Sequence, residues 1–170
     1  TWRDGPRGTD EPLAAPKMHP DEIETDAGLV QRLLAEQFPH WAELPIRPVV
    51  SYGTDHDIYR LGEGLSARLP WIGWATGQAA TEGEWLPRLA PHLPLAVPEQ
   101  LAVGRPADGY PFDWSIYSWL PGSDANTRLD DLDQVAVDLA AFVRALRSVE
   151  PVDAHPRRPG SRGAPLAELH

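Results

Sequence analysis

The turn Gly62-Glu63-Gly64 constrains this chain more than any other stretch. It separates two short runs, residues 57–61 and 65–69, that read as strands; in the second, Leu65, Ala67 and Leu69 alternate with Ser66 and Arg68. Alternation is the period of a strand, and so short a connection joins only antiparallel neighbours. The two runs are expected to form a hairpin. A further strand is expected at 46–52, ending in the loop Gly53-Thr54-Asp55-His56. Two more are expected at about 99–104 and 114–119, joined by a turn rich in Pro and Gly.

Three helical patterns are interleaved with these strands. In 25–38, Leu29, Val30, Leu33, Leu34 and Phe38 recur at helical spacing, Thr25 suits the cap, Asp26 the first turn, and Pro39 stops the run. In 77–93, Glu82 shares a stripe with Leu86, Leu89 and Leu93, while Pro87 is expected either to kink the helix or to begin a second segment. In 129–149 the stripe is Leu132, Val135, Leu139, Phe142, Val143 and Leu146. The order helix, three strands, helix, two strands, helix predicts an α+β fold with an antiparallel sheet and one helix packed on it.

Composition removes several function classes. The formal net charge of −10 argues against binding to nucleic acid, and it either favours cationic ligands weakly or serves solubility alone. There is no cysteine, hence no disulfide and no thiolate metal site, and the six histidines show no zinc spacing. No metal ligands are assigned. The seven tryptophans lack the basic neighbours of a single-strand-binding platform and read as packing residues. No apolar run approaches membrane-span length, so no membrane partner is expected. Residues 1–17 are polar, with Pro and Gly and no signal-peptide core, and are expected to be a disordered tail. Met18 is the sole methionine and the expected natural start, the alternative being an ordinary N-terminal extension. A cytoplasmic location is the default expectation.

Three features suit a nucleotide. Gly53 lets backbone approach a polyphosphate and Thr54 adds a hydroxyl, although a hairpin turn with one glycine is also common. Arg68 shares a strand face with Ser66, opposite Leu65, Ala67 and Leu69. It requires a partner if buried and none if its head lies in water. Glu82, on a leucine stripe, is the natural partner, with Glu84 as competitor.

The segments SYGTDHDIYRLGEGLSARLPWIGWATGQ, EWLPRLAPHLPLAVP and SIYSWLPG resemble the aminoglycoside phosphotransferase family, from about residue 18 to the end of the sequence. The resemblance implies a protein-kinase-like small lobe over 18–120, a five-stranded antiparallel sheet with an inserted helix. Residues 121–170 would be the hinge exit and the first helix of an incomplete large lobe. Gly53, Thr54, Asp55 and His56 would cover the phosphates of ATP or GTP. Arg68 would touch the α- and β-phosphates, with Glu82 as its ion-pair partner. Tyr117 would sit behind the base, and Ser118, Trp119 and Leu120 would form the hinge. An aminoglycoside-like acceptor and a role in antibiotic resistance are implied for the full-length protein.

The sequence departs from the family pattern at several points. His56 stands where Asn is common, Trp71 where a basic residue is expected, and Arg68 where kinases carry Lys. No His-Gly-Asp catalytic loop and no Mg²⁺ aspartate follow within the sequence. No catalytic residue is therefore assigned, and the chain alone is expected to be an inactive fragment of a kinase. The alternative expectation is a non-catalytic nucleotide-binding or assembly module, or the product of a decayed gene. Self-association through the 129–149 helix is a further expectation.

Overall fold

The computed structural model describes residues 21–50, 53–122 and 131–150. The 1–17 tail, Ser51 and Tyr52 at the end of the first expected strand, Leu129 at the start of the last helix, and the Pro-containing tail lie outside the described residues. The elements in chain order are α1 (Ala27–Gln37), β1 (Ile46–Val49), β2 (His56–Leu61), β3 (Leu65–Pro70), α2 (Gln78–Leu89), β4 (Gln100–Gly104), β5 (Trp114–Ser118) and α3 (Leu132–Ser148). The chain divides into two compact units: residues 1–80 with 100–119, and residues 81–99 with 120–170. No described helix is long and apolar enough to cross a membrane.

The first unit holds the five-stranded sheet, ordered β1-β2-β3-β5-β4, with every pairing antiparallel. Leu61 opposes Leu65 across the predicted turn. Gly62 adopts φ +55°, a conformation that other residues take at a cost, so a glycine belongs there.

Register assigns the side chains to two faces. Tyr59, Leu61, Ala67, Leu69, Trp114 and Ile116 share one face and are buried, in a single core cluster with Leu29, Val30, Leu33 and Leu34 of α1. Gly104 is required here by close approach: a Cβ would lie 2.1 Å from the Trp114 ring. The opposite face carries Ile58, Arg60, Ser66, Arg68, Ser115 and Tyr117.

α1 begins one residue later than its expected cap. Asp26, not Thr25, caps it, its Oδ1 accepting from Leu29 N at 2.6 Å. Thr25 is drawn off by tertiary partners: its hydroxyl donates to Asp57 Oδ2 at 2.5 Å and lies 2.8 Å from the Tyr59 hydroxyl. α1 is also tied to the β4–β5 turn. Gln37 exchanges bonds with the backbone of Arg105, accepting at 2.7 Å and donating at 3.0 Å, and Arg32 pairs with Asp108 at 2.5 Å.

In the second unit, Pro87 lies within α2, which runs on to Leu89 before a single 3₁₀ turn at Ala90–His92. α3 is capped by Asp131, which accepts from Gln134 N at 2.9 Å. None of its residues is buried, and Leu132 and Leu139 are 67% and 57% exposed.

Candidate nucleotide site

The polar face of the sheet gathers the expected site residues of the first unit. His56, expected in the loop, instead opens β2 and is buried. Gly53 and Thr54 precede it on the surface, and the Thr54 hydroxyl donates to the Asp55 carboxylate. Arg68 stands in β3, the central strand, opposite Ile58 on one side and Ser115 on the other.

Gln78 and His56 meet at the Arg68 head. Its Nη2 donates to Gln78 Oε1 at 3.2 Å and lies 3.5 Å from His56 Nδ1, at the outer limit of hydrogen-bond distance. A guanidinium only donates, so His56 Nδ1 is the accepting atom of the second contact. Gln78 comes from the first residue of α2, which follows Gly77 at φ +86°.

Arg68 has company of its own sign. Arg47 opposes Arg60 across β1 and β2, and Arg60 opposes Ser66 across β2 and β3, so all three arginines lie on this face. Arg60 is already engaged: its Nε donates to Gly62 O at 3.1 Å, it bonds the Glu63 backbone, and its guanidinium stacks 4.2 Å above the Trp119 ring. Arg60 Nη2 also pairs with the Glu63 carboxylate at 3.4 Å, so this cation is both held in place and partly neutralised.

Tyr117 is buried in β5. Its hydroxyl accepts from Gln100 Nε2 at 3.2 Å, and the same amide reaches Ser115 Oγ at 3.1 Å and Ala79 O at 2.8 Å. Gln100 thus ties the start of α2 to β5. Ser118 ends β5, and the Trp119 amide donates to Gly64 O at 2.8 Å. Leu120 falls in the second unit, as does Glu82, half-buried on α2. Among the described residues no group of His, Asp and Glu could hold a metal ion.

Gln78 and Gln100 are the members of this site that sequence reasoning missed. A glutamine beside a helix start or in an edge strand carries no pattern signal. Only the fold brings them to Arg68 and Tyr117.

Residues 45–170 match the model of a family described as the phosphotransferase enzyme family. No curated protein sequence matches the chain. Among solved structures, the GDP complex of wild-type aminoglycoside 2'-phosphotransferase-IIIa aligns with TM-score 0.65 at 19% identity, over 74% of this chain and 43% of that one. The GDP and kanamycin complex of APH(2")-IIia aligns with TM-score 0.63 at 19% identity, over 72% and 42%. At such identity the likeness establishes the fold, a kinase-like α+β arrangement. The chain spans less than half the length of these structures.

Proposed function

The chain belongs to the phosphotransferase enzyme family, and on that premise we propose that it carries the nucleotide-binding lobe of an ATP- or GTP-dependent kinase of small-molecule hydroxyl groups. The observation that carries this reading is Arg68, set in the central strand with His56 and Gln78 at its head. A guanidinium stays charged at any physiological pH and donates in a planar fork that matches phosphate oxygens. The donor set fits a polyphosphate. Arg68 would hold the α- and β-phosphates, with the backbone and hydroxyl of Gly53, Thr54, Asp55 and His56 above them. Glu82 would be its ion-pair partner. Tyr117 would back the base, and Ser118, Trp119 and Leu120 would read its edge. When bound, the nucleotide supplies the phosphoryl group and the chain's residues supply position and charge.

An aminoglycoside-like acceptor is the finer part of the proposal. It is supported by the family and by the solved structures named above, one of which is a kanamycin complex. Self-association through α3 is proposed on its exposed apolar stripe. Sedimentation at high concentration is expected to show a species larger than the monomer, and a clean monomer that binds no hydrophobic dye contradicts it.

Calorimetric titration with ATP and with GTP tests the central reading. Weak binding, little changed by Mg²⁺, is expected of this chain. No heat with either nucleotide, at concentrations well above ordinary kinase affinities, contradicts it.

A further inference from the structure

Trp71 sits in an unusual position for a large apolar side chain. It follows the last residue of β3, is only half-buried, and belongs to neither the core cluster nor the polar face. Its polar atoms are fully employed. The indole Nε1 donates to Thr54 O at 3.0 Å and the backbone amide donates to Asp55 O at 3.0 Å. The loop residues Thr54 and Asp55 are therefore held through successive carbonyls by a single residue from another strand end.

The anchor itself is fixed. Trp71 O accepts from Ile23 N at 2.8 Å, and Ile23 leads into the segment that Thr25 ties to Asp57 and Tyr59. The flanking residues, Pro70 and Ile72, are buried. The Tyr110 hydroxyl donates to Pro70 O at 2.6 Å, and burial pushes its pKa up, so it remains a donor across the physiological range. The Trp71 backbone is thus pinned on both sides while its indole reaches out to the loop.

We propose that Trp71 is a positioning residue that holds the Thr54–Asp55 backbone in the geometry a nucleotide's phosphates require. Both carbonyls are drawn toward Trp71. Each peptide unit is planar, so fixing a carbonyl also fixes the amide that follows it. Bonding to Thr54 O and Asp55 O therefore orients the amides of Asp55 and His56. A loop ordered before binding loses less entropy when a ligand arrives. The inference rests on the nucleotide reading above, and it adds a residue to which that reading gives no role.

The variant Trp71→Phe keeps an aromatic ring and deletes the indole donor. It is to be compared with wild type by nucleotide titration, by thermal melting and by hydrogen exchange over residues 53–56 without nucleotide. Expected are an unchanged melting temperature, faster exchange in the loop, and ATP affinity weakened roughly fivefold, the effect of one neutral hydrogen bond. Unchanged loop exchange overturns the positioning role, whether or not nucleotide binds. Unchanged affinity in Trp71→Phe, with wild-type binding intact, overturns the link to nucleotide. A wild-type chain that binds no nucleotide counts against the site reading instead, and the exchange result then still decides whether Trp71 holds the loop. If Trp71→Phe also melts early, Trp71→His, which restores a ring N–H, separates the cases: recovery of slow exchange supports positioning, and none refutes it.

Discussion

On one face of the sheet, Tyr59, Leu61, Ala67, Leu69, Trp114 and Ile116 close against α1. On the other, Arg47, Arg60 and Arg68 stand among Ser66, Ser115 and Tyr117. The same strands supply both sets at alternate positions. Burial of apolar area stabilises the first face, at about 25 cal/mol per Å². The second face draws three like charges together, which favours folding only through other partners or an anion. The difference teaches that apolar burial holds the core face, whereas the polar face is held by individual partners such as Glu63, Trp119 and Gln78.

The largest expected effect belongs to the core face. Leu33→Ala or Leu34→Ala removes a fully buried side chain of α1 and should cost about 2–5 kcal/mol, read from denaturant unfolding. A loss below ~1 kcal/mol would mean that α1 is not packed as described. Next is Gly104→Ala, whose new methyl group meets the buried Trp114 ring. Overpacking of this kind should cost about 1–3 kcal/mol and alter the tryptophan emission. Unchanged melting would show that Trp114 has room to move.

A smaller effect sharpens the contrast, because one carboxylate intrudes on the apolar face. Asp57 lies on the same face as Tyr59, and burial raises its pKa against the opposing bond from Thr25. The folded chain therefore keeps this proton to higher pH than the unfolded chain does. Below the ordinary carboxylate range both states are protonated and the residue carries no penalty. As pH rises through the raised folded pKa, that stability is lost. Relative to Asp57→Asn, the wild type should lose stability over this window, seen in paired melts across acidic pH. A wild type that gains on the variant as pH rises would reverse the sign.

These contrasts also mark what the sequence discloses. Alternation in β3 exposed the two faces of that strand, and Gly62-Glu63-Gly64 exposed the hairpin, because both are local patterns. Competition between equivalent chemistries was not legible. Thr25 and Asp26 each suit a cap, and a bond from Thr25 to a residue 32 positions away decides between them. His56 reads as loop from its neighbours, yet pairing with Pro70 makes it the start of a strand. The α3 stripe was legible, but its exposure depends on what surrounds the helix. Gln78 and Gln100 were invisible for the reason given above.

The central claim is that the polar face exists for a polyphosphate, and Arg68→Ala tests it most directly. The variant and the wild type are to be titrated with ATP and melted in parallel. The expected result is a retained fold, the melting curve falling by no more than about 1.5 kcal/mol as for loss of one half-buried, hydrogen-bonded side chain, together with loss of nucleotide binding. Equal ATP affinity in the two proteins would contradict the claim, and so would a collapse of the fold in Arg68→Ala, which would make Arg68 a structural residue.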